Sequence, residues 1–98
     1  MVVNQFPFEE EILEEKEDYV LVKRTFNKNL DSKQLVWHRD KEDREIKQIS
    51  GQDWYIQFEN ELPVLLEDNK SFQIKKNTWH RIINKSKNDL EILLRKYK

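Results

Sequence analysis

The sequence predicts an all-β domain, a small barrel of two packed antiparallel sheets with jelly-roll connections. Short segments of alternating apolar and polar residues recur at regular spacing, which is typical of a sandwich or a barrel. Stretches rich in Asn, Asp, Ser and Lys separate them and predict turns. Eight such segments in about 80 residues is the number expected of a closed or double-sheet barrel. The predicted strands cover residues 19–27, 34–40, 43–50, 53–58, 62–66, 71–75, 79–84 and 90–96.

The first 18 residues precede this pattern and are strongly acidic. They carry seven acidic residues against Lys16, and residues 8–16 fit one or two helical turns as well as an opening strand. Residues 70–98 carry nine lysines and arginines against Asp89 and Glu91. Such a division can mark a nucleic-acid-binding face. Because the basic residues are spread along predicted strands instead of clustered, we favour mutual neutralisation and expect no nucleic-acid partner.

Length and composition indicate one domain over residues 1–98, with an acidic entry segment at 1–18 and the barrel at 19–98. A chain of this size supports one hydrophobic core. The sequence contains no cysteine, so disulfides and thiolate metal sites are excluded. It lacks the N-terminal pattern of a signal peptide and any apolar stretch of the roughly 20 residues that a membrane span needs. We therefore predict a cytoplasmic protein with no membrane partner.

The tryptophans divide into core and surface candidates. Alternation groups Trp54 with Ile56 and Phe58 on one strand face, and groups Phe72 with Ile74, which predicts five core residues. Trp37 and Trp79 point the opposite way, where they would cover the outside of the barrel or fill a dimer interface. A small open jelly roll also leaves a sheet edge for a second copy, so we predict a homodimer. The single glycine, Gly51, implies that turns with positive φ use Asn and Asp.

Both histidines lie in predicted strands. Alternation puts His38 on one face with Val36 and Asp40, and His80 on one face with Ile82. Two imidazoles and a carboxylate are the ligand set of facial-triad iron sites, and they also suit zinc, nickel or manganese. A histidine on an apolar face is also commonly a hydrogen-bonded core residue. The residue types alone leave both interpretations open.

The spacing around the first histidine resembles a cupin motif. That motif ends in His-x-His, three or four residues, Glu, six residues and Gly. Here His38-Arg39-Asp40, three residues, Arg44 and six further residues to Gly51 reproduce its length.

The second cupin motif runs Gly, five residues, Pro-x-Gly, two residues, His, three residues and Asn. Asn69, residues 75–77, His80 and Asn84 match its spacing throughout. Residues 8–24 are also similar to the entry into the cupin domain of type II mannose-6-phosphate isomerases. The resemblance implies the cupin double-stranded β-helix, and a role as an isomerase, dioxygenase, epimerase or ligand-binding domain.

The departures from the family pattern bear on metal binding. The resemblance implies three histidines and a glutamate as metal ligands. His38 and His80 match two of them, Asp40 replaces the third, and Arg44 stands in place of the glutamate. A guanidinium stays protonated and cannot bind a metal, and its charge opposes that of an ion. The glycines and the proline of the second motif are also replaced, so we expect its turns to be built differently.

Two arrangements of the pocket follow. In one, His38, Asp40 and His80 hold one divalent metal (Zn, Ni, Mn or Fe). Glu42 or Glu45 then supplies a further carboxylate, or Arg44 turns away to pair with a neighbour such as Glu42. In the other, which we favour from the sequence, the guanidinium pairs with the aspartate in a metal-free pocket. The guanidinium would then suit a carboxylate or phosphate on the ligand.

The leading hypothesis is a small cupin that binds a polar small molecule, such as a sugar or sugar phosphate, in a pocket lined by His38, Asp40, Arg44 and His80. One alternative is a metal-dependent isomerase or oxygenase that uses His38, Asp40 and His80 as ligands. Another is a non-catalytic interaction domain.

Overall fold

The computed structural model describes residues 8–30 and 35–98, and every regular element within them is a β-strand. The strands are β1 (Glu9–Glu15), β2 (Tyr19–Phe26), β3 (Arg44–Ser50), β4 (Trp54–Phe58), β5 (Val64–Leu65), β6 (Ser71–Ile74), β7 (His80–Asn84) and β8 (Leu90–Tyr97). No helix that could cross a membrane occurs in the described ranges.

Two antiparallel sheets form the molecule. A five-stranded sheet has the order β1-β2-β8-β3-β6, and a three-stranded sheet has the order β5-β4-β7. The longest ladder joins β2 to β8 without a break, from Tyr19 opposite Tyr97 to Phe26 opposite Leu90. The prediction of an all-β barrel of two antiparallel sheets is confirmed.

The structure resolves one open interpretation and differs from one predicted strand. Residues 8–16, which fitted a helix or a strand, contain β1, which pairs with β2 along the edge of the larger sheet. The predicted strand at 34–40 is wrong for the described residues 35–40, where His38 alone forms an isolated bridge, to His80. Strand β7 begins at His80 and the chain turns just before it, at Asn77, so the ladder cannot continue from His38 toward Asp40.

The inner faces of the sheets enclose the core. The buried apolar residues of the described chain are Val22, Phe26, Leu35, Ile46, Trp54, Ile56, Leu66, Ile74, Leu90, Ile92 and Leu94. The five predicted core residues lie here: Trp54, Ile56 and Ile74 are buried, and Phe58 and Phe72 pack against the cluster. Alternation along each strand thus assigned the inward side chains correctly.

The barrel has two unlike ends. At the packed end β3 finishes and β8 begins, and the Trp54 ring is completely buried and donates its Nε1–H to Asn88 O at 2.8 Å. Gln48, also buried, donates its amide to Asp68 at 2.8 Å. At the open end β3 and β7 begin, with Arg44 and His80 as their first residues.

Asparagine and aspartate form the turns with positive φ, as predicted. These residues are Asp53, Asn60, Asn69 and Asn77, each with φ between 59° and 65°. Asn69 and Asn77 occupy positions where the cupin motif has glycine, and they keep the left-handed conformation that glycine would supply. The second-motif turn is therefore preserved in this respect, contrary to expectation.

The surface carries two notable features. The acidic start and the basic end of the sequence meet, because Lys96 lies 3.0 Å from Glu10 Oε1 and Lys98 lies 3.7 Å from Glu15. Trp37 and Trp79 are each 38% exposed, on the outside of the barrel. Cationic side chains cover both rings: Arg81 lies 4.7 Å from the ring centroid of Trp37, and Arg39 lies 5.2 Å from that of Trp79. The homodimer stays a prediction.

Candidate functional site

A cavity of about 390 Å³ opens at the open end of the barrel. All four side chains predicted as site residues line it: His38, Asp40, Arg44 and His80. His80 is buried, whereas His38 is exposed and stands at the mouth. The volume is within the range of small-molecule sites in proteins.

The two histidines are joined by their backbones. The His38 N–H donates to His80 O at 3.0 Å, and the His80 N–H donates to His38 O at 2.9 Å. Residues paired in this way in an antiparallel bridge present their side chains on the same face. The two ring centroids are accordingly 4.3 Å apart. This pairing brings together histidines that are 42 positions apart in sequence.

Each imidazole is oriented through Nδ1. His38 Nδ1 lies 3.1 Å from Val36 O, and His80 Nδ1 lies 2.7 Å from Thr78 O. A carbonyl oxygen only accepts hydrogen bonds, so both Nδ1 atoms carry the proton. A neutral imidazole in this tautomer has its lone pair on Nε2. Hydrogen bonds of this kind commonly orient metal-binding histidines.

Asp40 faces His80 inside the cavity. Asp40 Oδ2 lies 3.3 Å from His80 Nε2, but it is shielded from water and has no hydrogen-bond partner. Two acceptors in this arrangement require a positive charge between them, either a proton on the imidazole or a metal ion. The residues present therefore fit a metal. Two ligand atoms that each lie about 2.0–2.1 Å from one zinc ion at a tetrahedral angle are about 3.3 Å apart. This matches the distance between Asp40 Oδ2 and His80 Nε2.

The third candidate ligand is close enough to share an ion. One donor atom from each of His38, Asp40 and His80 lies within 4.8 Å of the others. The backbone holds Asp40 in this position, because its carbonyl oxygen accepts the Asn77 N–H at 2.7 Å. The second-motif turn thus fixes the first-motif carboxylate.

Arg44 is held beside this group by Glu42. Its Nη2 and Nε lie 2.7 Å and 3.0 Å from Glu42 Oε1, and Nη2 lies 3.3 Å from Asp40 Oδ1. The guanidinium uses one carboxylate oxygen of Asp40 and leaves Oδ2 to face His80. Arg44 and the candidate ion therefore need not compete for the same atom.

The charges of the site act on one another. Burial alone would raise the pKa of the Asp40 carboxyl, but the His80 imidazole and the Arg44 guanidinium outweigh it and hold that pKa below its usual range. Desolvation of the His38 ring, on the side that lines the cavity, lowers its pKa; the hydrogen bond to Val36 O opposes this effect, and the neighbouring His80 adds to it. Both shifts favour the forms that bind metals, a charged carboxylate and a neutral imidazole.

Sequence reasoning missed Arg24 and the apolar character of the cavity. Arg24 lines the cavity from β2, and nine of the described lining residues are apolar, among them Phe26, Ile46, Ile82 and Leu94. The signal for Arg24 was its parity, because it alternates with Val22 and Phe26 on the inward face of β2.

Comparison with solved structures identifies the architecture. A cupin domain from Bordetella pertussis aligns with 99% of this chain and 99% of its own, with a TM-score of 0.70 and 13% sequence identity. A cupin-2 domain protein from Shewanella frigidimarina aligns with 98% of this chain and 85% of its own, with a TM-score of 0.73 and 18% identity. The chain has the cupin fold.

A third cupin shows the same likeness. An RmlC-like cupin with a double-stranded β-helix fold from Methanocaldococcus jannaschii aligns with 92% of this chain and 79% of its own. The TM-score is 0.74 and the identity is 15%. Comparison of the sequence with protein-family models and with curated proteins gives no match. No comparison supports the resemblance to type II mannose-6-phosphate isomerases, which stays a prediction.

Proposed function

We propose that this cupin binds a small organic molecule in its open-end cavity, beside a divalent metal held by His38, Asp40 and His80. The observation that carries the proposal is the facing pair of Asp40 Oδ2 and His80 Nε2. A buried carboxylate oxygen without a hydrogen-bond partner is costly unless a cation meets it.

Glu42 has a defined part in this arrangement. It draws Arg44 to one side, so that the guanidinium meets Asp40 only through Oδ1. Without Glu42, the arginine would be free to turn toward Asp40 and compete with the ion. Glu42 therefore acts as a positioning residue for the metal site.

A metal with three protein ligands keeps coordination positions open, and it would act as a Lewis acid toward an oxygen of the bound molecule. The chain's own residues orient that molecule. Arg44 offers a guanidinium at the cavity wall, and the apolar side chains exclude water from the inner part. This arrangement would serve an isomerase or oxygenase as well as a binding protein.

A second candidate is the metal-free pocket favoured from the sequence. The contact of 3.3 Å between Arg44 Nη2 and Asp40 Oδ1 favours it. A protonated His80 would then satisfy Asp40 Oδ2 in place of a metal. The two candidates therefore differ in whether a metal ion or a proton lies between Asp40 Oδ2 and His80 Nε2.

Calorimetric titration of untagged protein with zinc, nickel, manganese and iron(II) separates the candidates. We expect one ion per chain, and a large loss of affinity in Asp40→Asn. Glu42→Gln should weaken binding roughly 10- to 100-fold although it removes no ligand, as changes in the outer shell of metal sites do. Arg44→Glu should bind more tightly than the native chain, because it replaces a cation with a fourth ligand.

The matched control is Arg39→Gln. Arg39 stacks on Trp79 outside the cavity, so this change removes an arginine near the site without touching the site. Its metal affinity should equal that of the native chain. Failure of both the native chain and Arg44→Glu to bind any of the four ions would contradict the metal site and support the metal-free pocket.

A further inference from the structure

The chemistry of the cavity indicates which class of molecule it takes. Resting on the proposed function, we propose that the ligand is an organic acid with a hydrocarbon body. Its carboxylate meets Arg24 and Arg44, and its body lies among the apolar side chains. This differs from the sugar or sugar phosphate predicted from the sequence.

The cavity wall is unsuited to a polyhydroxylated ligand. Among the described lining residues the polar side chains are His38, Asp40, Arg44, His80 and Arg24. The two imidazoles and Asp40 are engaged with one another, with Arg44 or with backbone carbonyls, and Arg44 uses Nε and Nη2 for Glu42 and Asp40. Few donors and acceptors are therefore left for several sugar hydroxyls. A hydroxyl that enters an apolar environment without a partner costs roughly 1–3 kcal/mol by protein mutational data. A hydrocarbon body gains from the same surroundings.

Arg24 is incompletely satisfied in the cavity. Its side chain is 13% exposed, and its Nε is shielded from water without a hydrogen-bond partner. The carboxylate paired with it, Glu10 Oε1, lies 3.6 Å from Nε and is bound more closely by Lys96, at 3.0 Å. The Arg24 Cζ atom lies 4.0 Å from the ring centroid of Phe8. A half-buried guanidinium whose Nε–H lacks a partner suits an incoming anion.

The guanidiniums of Arg24 and Arg44 both line the cavity, so their positive charges repel each other. Burial lowers the pKa of Arg24 and the charge of Arg44 lowers it further, whereas the carboxylates of Glu10 and Asp40 oppose these effects. An anion between the two arginines would relieve their repulsion. The planar fork of arginine matches a carboxylate in a bidentate arrangement, whereas a neutral hydroxyl gains nothing from the charge.

Hexanoate is the first probe, with hexanol, hexyl phosphate and glucose 6-phosphate as comparisons, each titrated by calorimetry into the native protein. We expect hexanoate to bind more tightly than hexanol by tenfold or more. Affinity should rise about fourfold per methylene from butanoate to hexanoate, as expected for burial of a hydrocarbon chain. Hexanol binding as tightly as hexanoate would overturn the proposal, as would tighter binding of glucose 6-phosphate or of hexyl phosphate.

Arg24→Gln tests the residue itself. It should weaken hexanoate binding at least tenfold and leave hexanol unchanged, while the control Arg39→Gln should bind hexanoate like the native chain. Native hexanoate affinity in Arg24→Gln would overturn the role of Arg24. If that variant fails to fold, the chain-length series and the comparison with hexanol in the native protein still decide the ligand class.

The test also distinguishes this proposal from the metal site. Arg24 is not a candidate ligand, so Arg24→Gln should bind zinc with native affinity. If the native protein binds no metal but prefers hexanoate to hexanol, the proposed metal site is contradicted and this inference is supported. If it binds metal but shows no preference for hexanoate, the metal site is supported and this inference is contradicted.

Discussion

The packed end and the open end of the barrel differ in whether their buried polar groups find hydrogen-bond partners within the chain. At the packed end the Trp54 indole and the Gln48 amide donate to groups of this chain, and Gln48 Oε1 is the one buried side-chain atom of the described residues there that lacks a partner. At the open end, Asp40 Oδ2 lacks a partner and faces a cavity with two imidazoles. The comparison predicts that polar groups at the packed end contribute to stability, whereas those at the open end are left available for binding.

The largest effect is expected at the packed end. Leu90 is fully buried, so Leu90→Ala should lower the free energy of unfolding by about 2–5 kcal/mol through lost burial and a residual cavity. The same change at Leu65, which is 37% exposed, should cost about 0.5 kcal/mol or less. Urea unfolding followed by circular dichroism measures both. Equal losses would show that the burial of Leu90 is not a main source of stability.

Metal binding should stabilise the protein through the open end alone. Zinc at 100 times its dissociation constant should add about 2.7 kcal/mol to the free energy of unfolding. Leu90→Ala should gain the same amount, since distant sites are additive, whereas Asp40→Asn should gain far less. Thermal unfolding with zinc and with a chelator measures this. A smaller gain in Leu90→Ala would mean that the two ends are coupled.

Gly51 provides an intermediate effect at the packed end. Its φ is 154°, and a Cβ there would lie 3.0 Å from Leu90 Cδ1 and 3.3 Å from Gln48 Oε1. Gly51→Ala should therefore cost more than about 1 kcal/mol in unfolding free energy. Asn60→Gly is the control, because Asn60 has φ of 62° and glycine adopts that conformation without strain. If Gly51→Ala is as stable as the native protein and binds zinc equally well, the side chains of Leu90 and Gln48 can shift to accommodate the added Cβ.

The smallest effect concerns Glu10, the carboxylate beside Arg24. Burial would raise its pKa, but Lys96 and Arg24 outweigh this and lower it from the usual 4.5. A lowered pKa stabilises the fold above pH 4.5, and this contribution is lost as the pH falls through the folded value. Because the pair is partly exposed, we expect about 1 kcal/mol or less. Glu10→Gln should flatten the stability profile between pH 5 and pH 3. Glu11→Gln, the matched change at the next residue of β1, should leave the Glu10 contribution in place.

Much of the fold could be predicted because alternation along a strand is a local property. Trp54 and Ile56 were assigned to the core by parity, and the lack of glycine pointed to asparagine turns such as Asn77. The strand predicted at 34–40 was wrong because a strand also needs a partner. Only His38 finds one in the described part of that segment. Pairing depends on residues distant in sequence, which periodicity does not report.

The site was less predictable than the fold. Motif spacing pointed to His38, Asp40 and His80, which the structure brings within 4.8 Å of one another. Pairing of Arg44 with Glu42 was one of two arrangements left open by the sequence, and the structure has it, with Nη2 2.7 Å from Glu42 Oε1. Arg24 was missed, since its place in the cavity depends on how β2 faces the other sheet.

The order of strands in the larger sheet has a consequence for folding. Strand β8 lies between β2 and β3, and its ladder with β2 joins residues about 64 to 78 positions apart. The chain must close a long loop before this central ladder can form, and the entropy of closure is lost before most native contacts compensate for it. Proteins dominated by such non-local pairings typically fold in milliseconds to seconds. The barrel should therefore fold slowly for its size, with β2 and β8 among the last neighbours to find each other.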